Sequence, residues 1–323
     1  MGQNLEVICV GMAVADILVK GMNGMPTEGT TGFVDSIDMK TGGDAVNEAV
    51  TLADLGHRAG LLTLVGDDAQ GRFIIENCRK CNVDMEGIAV SKAYPTSTSI
   101  VLVGGNGERS FLSRKGGTAD EFALADVALE KIQKGVKAVS IASLFCSEQL
   151  NDAENYAILR KAKEAGAFTI ADLVLNRKEC TLDEIKDTLS LLDYIVPSRD
   201  EAEHFTGKKE LEDIAETFHR YGVKNVIIKL GKDGVYAHTG QETLRVPTFA
   251  AEVVDTTGAG DNFMAGFISG LIRGCKLIEC LEFGSAVSAI SIGHVGATGA
   301  IKSRTQVQNL LNKLKKAVNS CGE

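Results

Sequence analysis

The stretch Val254-Asp255-Thr256-Thr257-Gly258-Ala259-Gly260-Asp261-Asn262-Phe263 decides how the rest of the chain is read. It follows an extended, β-branched run. It leads into apolar positions at helical spacing, Phe263, Phe267 and Leu271, with Met264, Ile268 and Ile272 beside them. A helix therefore starts at the Gly-Ala-Gly turn. The first N–H groups of a helix have no intrahelical acceptor, and the aligned peptide dipoles add partial positive charge there. Small residues let a bulky anion reach that backbone, so Thr256 to Gly260 read as a phosphate cradle. Asp261 adds one carboxylate among the donors, which suits a base beside a transferring phosphoryl group. The helix N-terminus is expected to favour its ionised form and keep its pKa low. Gly266, Gly270 and Gly274 recur every fourth residue, which points to close packing of this helix against a neighbour.

Upstream, Leu5 to Gly11 reads as a buried strand ending in one glycine. A dinucleotide site would need G-x-G-x-x-G there, so Gly11-Met-Ala-Val-Ala-Asp16 disfavours a nicotinamide oxidoreductase. Residues 17 to 40 alternate short apolar runs with turns and read as a small excursion of strands. Thr41-Gly42-Gly43-Asp44-Ala45-Val46-Asn47 then enters a helix stopped at Gly56. Asp44 and Asn47 lie three apart on one face, where a carboxylate and an amide suit a polyol; Asp44 as a plain helix N-cap fits the spacing equally well. Ser97 to Val103 and Glu108 to Leu112 flank a glycine-rich turn and read as a hairpin, completing a four-strand lid with the earlier excursion.

From residue 120 onward strands alternate with polar-faced helices: strands at 138–142, 168–172, 194–196 and 226–230, helices at 151–165 and 210–221. That alternation predicts an α/β fold with a mainly parallel sheet between two helical layers, ligands binding at strand carboxyl ends. No long linker or internal repeat divides the chain, so residues 1–323 read as one domain, with lid excursions at about 13–40 and 96–116.

A net charge of −9 argues against nucleic acid or an anionic membrane as partner. Of eight cysteines, Cys78-Arg-Lys-Cys81 is a lone C-x-x-C that reads as reduced thiols rather than a zinc site. With neither signal peptide nor membrane-length apolar run in the sequence, a cytoplasmic protein is expected.

The string Asp255-Thr-Thr-Gly-Ala-Gly-Asp261 resembles the C-terminal signature of the ribokinase-like (PfkB) carbohydrate kinases, and Gly42-Gly43-x-x-x-Asn47 is similar to their N-terminal signature. Gly66-Asp67-Asp68 through Gly71 and the hairpin lid follow in the family's order. The resemblance implies a three-layer doubly wound fold with a small β-sheet lid, and transfer of the ATP γ-phosphate to a sugar hydroxyl. Asp261 would be the base, with Gly258, Ala259 and Gly260 stabilising charge on the transferring group. Asp16, Gly42, Gly43, Asp44, Asn47, Arg109 and Arg114 would hold the sugar. Ser198, Lys229, Gly231, Gly234 and Thr257 would hold ATP, and Glu201 would bind magnesium through water. Ser198 stands where the family's Asn-x-x-Glu element has asparagine, and Ser-x-x-Glu is equally a capping box. A potassium-like monovalent cation would sit beside Asp255, and the lid would pair two chains into a homodimer. Val14 and Asp44 depart from the ribokinase pattern, while Gly42-Gly43-Asp44 and Gly107 through Arg114 look more similar to 2-keto-3-deoxygluconate kinases and fructokinases. A ribose or nucleoside kinase and a non-catalytic sugar or nucleotide sensor are the alternatives on the same fold.

Overall fold

The computed structural model describes residues 4–22, 24–104, 109–175 and 180–320. The turn at 105–108, with Gly107 and Glu108, and Cys321 lie outside the described residues, as does the Arg109 side chain. Thirteen strands are described: β1 Val7–Val10, β2 Val14–Met22, β3 Ser36–Gly42, β4 Ala59–Gly66, β5 Ile88–Ser91, β6 Thr98–Gly104 and β7 Arg109–Ser113. They continue as β8 Ala138–Leu144, β9 Phe168–Leu173, β10 Tyr194–Ile195, β11 Asn225–Lys229, β12 Val235–His238 and β13 Thr243–Val246. Nine form one sheet in the order β13-β12-β11-β10-β9-β8-β1-β4-β5, parallel except for the antiparallel β11-β12-β13 edge. The other four form the lid, in the order β3-β2-β6-β7.

The helices are α1 Asp44–Asp54, α2 Ala69–Lys80, α3 Thr118–Glu121, α4 Asp152–Ala165 and α5 Lys186–Ser190. After them come α6 Arg199–Thr206, α7 Leu211–Arg220, α8 Ala259–Ile272, α9 Leu277–Ser291 and α10 Arg304–Ser320. Helices cover both faces of the large sheet, which is why β1, β4 and β8 read as unbroken apolar runs. Val7 and Cys9 pack on the side of α1 and α8, while Ile8 and Val10 pack with Ile158 and Ala162 of α4. Among the described residues no helix is long and apolar enough to cross a membrane, and seven cysteines are free thiols.

Helix α8 is buried from Asn262 to Ile272, all round rather than along one stripe. Its glycines explain how. A Cβ on Gly266 would stand 2.8 Å from the Gly284 Cα of α9, and one on Gly270 would stand 2.9 Å from the Cys280 Cα. Gly274 serves a different purpose: it is left-handed (φ 72°) just past the helix end, with nothing near it. The run before the cradle pairs with no strand: Val253 and Val254 lie exposed in the loop after β13. Its backbone is held instead by α9: the Val254 and Asp255 N–H groups both donate to the Ile292 carbonyl, at 2.8 and 3.1 Å.

Candidate active site

Helix α1 begins at Gly43, whose φ of 94° and position against the Met12 carbonyl exclude any side chain. Gly43 is thus the N-cap, and Asp44 is the first helical residue, its side chain lining a cavity under the lid. That cavity, about 310 Å³, is also lined by Asp16, Ser99, Ser113 and Arg114. Asp16, Ser99 and Ser113 come together because β2, β6 and β7 pair in that register. Gly42 leaves the space the Asp16 carboxylate occupies. Asp68, in the Gly-x-Asp-x-x-Gly run, anchors the lid's root: it caps α2 through the Gly71 N–H (2.8 Å) and accepts the Thr96 N–H (2.8 Å) and hydroxyl (2.6 Å).

Asn47, one turn into α1, donates its Nδ2 hydrogen to Asp261 Oδ2 at 2.7 Å, joining the two ends of the sequence in one site. Asp261 stands in the first turn of α8. Contrary to the sequence expectation, its pKa is raised: burial outweighs the lowering effects of the Asn47 hydrogen bond and the Lys229 ammonium. A carboxylate lifted above its ordinary range is a stronger base than the helix dipole alone would leave. Burial, then the neighbouring Asp261 and Asp172 carboxylates, push Asp44 up to about 8. Glu48, fully buried one residue after Asn47, is raised well above its usual range by burial.

The Gly-Ala-Gly turn opens α8 at its N-terminus. Gly258 is the left-handed N-cap (φ 71°), and a Cβ there would meet the Ala297 Cβ at 2.5 Å. Ala259 donates its N–H to the Thr256 carbonyl at 3.2 Å, closing the turn rather than facing a ligand. The N–H groups of Gly258 and Gly260 have no acceptor among the described residues. Asp255 ties this loop to the next, accepting the Thr257 N–H at 2.8 Å and the Gly296 N–H at 2.7 Å.

A second, smaller cleft of about 110 Å³ lies across the cradle, lined by Lys229, Gly231, Gly234, Ala259, Gly260 and Ser288 among others. Ser198 caps α6, its hydroxyl accepting the Glu201 N–H at 3.4 Å while Glu201 Oε2 accepts the Ser198 N–H at 2.7 Å. The capping box is therefore real, and a backbone bridge from Ser198 to Lys229 sets this helix beside the cleft. Ser198 and Thr257 are not on the cleft's wall. Sequence reasoning missed Asp172, at the end of β9, whose carboxylate pairs with the Lys229 ammonium. It also missed Phe145 and Cys146, which line the larger cavity, Phe145 with a left-handed φ of 68°. No local pattern marks these residues; only the sheet order brings them in.

The raised Asp44 has a consequence for stability. Its folded pKa of about 8 lies above the unfolded carboxylate value, so the folded state keeps a proton the unfolded state loses. That contribution is complete below the unfolded pKa and is lost as pH rises through about 8. Asp44→Asn is therefore expected to raise Tm more at pH 8.5 than at pH 5.5, about 2 °C for each kcal/mol. Scanning calorimetry on the ligand-free protein checks it; an equal gain at both pH values would contradict it.

The profile described as pfkB family carbohydrate kinase matches residues 4–304. The chain is 30% identical over 308 residues to an ATP-dependent 6-phosphofructokinase of Thermoanaerobacterium thermosaccharolyticum, covering 90% of this chain and 89% of that protein. It is 28% identical to probable fructokinase-7 of Arabidopsis thaliana, over 96% and 93% of the two chains. The fold superposes on Arabidopsis thaliana ribokinase complexed with ribose and ATP at a TM-score of 0.83, with 27% identity, covering 96% of this chain and 99% of that one.

Proposed function

The chain belongs to the pfkB family of carbohydrate kinases, and from that membership and the site geometry we propose that it moves the γ-phosphate of ATP onto a hydroxyl of a small neutral carbohydrate, a ketohexose first. The observation that supports this reading is the Asn47–Asp261 hydrogen bond, which joins Asp261 to the helix whose Asp44 lines the cavity under the lid. Asp16 and Asp44 would bind sugar hydroxyls there, and Asp261 would take the proton of the attacking one. Besides Asp44, which its raised pKa of about 8 leaves protonated at neutral pH, three carboxylates, Asp16, Asp120 and Glu148, line that cavity against one guanidinium, Arg114, among the described residues. Such a lining favours an uncharged polyol, because a substrate anion would meet more like charge than unlike. Arg114 supports a second reading, a 2-keto-3-deoxy sugar acid whose carboxylate it would pair with.

ATP would lie across the smaller cleft, its phosphates on the N–H groups of Gly258 and Gly260. Magnesium binds through few carboxylates and the substrate's phosphates; Glu201, with one oxygen engaged in the cap, would bind it through water, and the ion would neutralise phosphate charge. A potassium ion beside Asp255 would stiffen the joint between its loop and the Gly296 loop. The lid's outer face is apolar: Met39, Ile17, Ile100 and Leu112 lie side by side across its four strands, with Ile37 and Val19 next to them. Ile37 is 68% and Leu112 52% exposed, so we propose that a second copy covers this face in a homodimer; a monomer by light scattering would contradict it.

The test is a coupled ATP-consumption screen across ketohexoses, pentoses, nucleosides, and aldonic and 2-keto-3-deoxy acids, with and without potassium. Turnover on a ketohexose at least about tenfold above that on any acid is expected. The reverse order would select the Arg114 reading, and silence on every compound would leave a non-catalytic sugar or nucleotide sensor.

A further inference from the structure

The Lys229 ammonium stands beside the cradle. Lys229 ends β11 and Asp172 lies near the end of β9, the two strands on either side of the short β10. Their side chains are 15% and 8% exposed and form an ion pair. The Lys229 Nζ lies 3.2 Å from where a Cβ on Gly260 would stand, so it sits at the mouth of the α8 N-terminus. Lys229 also lines the nucleotide cleft.

A buried cation beside the positive end of a helix is repelled by it, and the arrangement is sensible only where anions occupy the space between. Asp172 supplies part of that negative charge, burial pushing its pKa up to about 7 against the lowering effect of Lys229. Among the described residues it takes one of the three N–H donors of the ammonium, which leaves two for a ligand. Burial alone would depress Lys229, but Asp172 and Glu201 outweigh it and raise its pKa, keeping it charged.

We propose that Lys229 is a catalytic cation of phosphoryl transfer, its ammonium touching the γ-phosphate in the cradle, and that Asp172 is the residue that positions it. The proposal rests on the kinase reading above. In the step, the sugar oxygen bonds to the γ-phosphorus as the bond to the β–γ bridging oxygen breaks. The electron pair leaves on ADP, and the hydroxyl proton passes to Asp261. Lys229 keeps its protons throughout and offsets the charge gathering on the transferring oxygens, where fixed positive charge in a water-poor site acts most strongly.

The experiment compares wild type, Lys229→Met, Lys229→Arg, Asp172→Asn and the double variant Asp172→Leu/Lys229→Met, with thermal melts confirming that each is folded. Lys229→Met is expected to lower kcat by about a hundredfold or more with the sugar KM within a few-fold of wild type. Lys229→Arg should recover part of that loss, and Asp172→Asn should lower kcat with little change in KM. By calorimetry, Lys229→Met should weaken adenylyl imidodiphosphate by about tenfold or more and ADP much less, which a purely structural ion pair would not do. The double variant should melt near wild type and stay inactive. Recovery of turnover in it, or equal losses for the two nucleotides, would overturn the proposal and leave a structural pair. If wild type phosphorylates nothing in the screen, the kinase reading fails by itself, and the two-nucleotide comparison still decides the Lys229 contact.

Discussion

Asp261→Asn is expected to lower kcat by about a hundredfold or more while sugar affinity, read by calorimetry, stays within a few-fold. Asparagine is nearly isosteric and can still accept the Asn47 Nδ2 hydrogen through its carbonyl oxygen, so the site should keep its shape. What it cannot do is take a proton from the attacking hydroxyl. The raised pKa of Asp261, caused first by burial, adds to the expected loss, because the group removed is a better base than an exposed carboxylate. Near-normal turnover in this variant would move proton transfer away from Asp261. Lost sugar binding with it would assign Asp261 to substrate recognition.

Gly266→Val should destabilise the fold by about 3 kcal/mol, the largest stability effect of any single change considered. The added Cβ would stand 2.8 Å from the Gly284 Cα and from Val287 Cγ2, and backbone cannot step aside as a side chain can. Helices α8 and α9 touch through glycines on both partners, since a Cβ on Gly284 would equally meet the Phe263 carbonyl at 2.8 Å. Separating them would tilt the N-terminus of α8, and Ser288 of α9 would lose its 3.0 Å hydrogen bond to the Ala259 carbonyl. Urea unfolding checks the first effect and turnover the second. An unchanged midpoint would show that the two helices tolerate a wider spacing.

Much of the architecture was legible because local patterns carry it. Apolar runs at 138–142, 168–172 and 226–230 mark strands buried on both faces, and β8, β9 and β11 lie there. The Gly42-Gly43 pair marks a helix entrance that no side chain can cap. The extended residues before the cradle join no strand, and the N–H groups of Val254 and Asp255 are satisfied by the Ile292 carbonyl, a partner no local pattern shows. The low pKa expected for Asp261 failed because the helix dipole is visible in sequence and burial is not.

The sequence by itself determined the Gly-Ala-Gly turn that opens α8, the carboxylate in its first turn, and the glycine-led helix that carries Asp44 and Asn47. Each of these lies within about ten residues of chain, where spacing alone dictates which groups share a turn or a face. Only the tertiary structure decided that Asn47 reaches Asp261 across 214 positions and that Asp172 holds Lys229 across 57. It also turned Gly274 into a helix terminator and gave the Ala259 N–H to a turn. These depend on the order of strands in the sheet and the distance between helices, set by packing over the whole core rather than by any local run of residues.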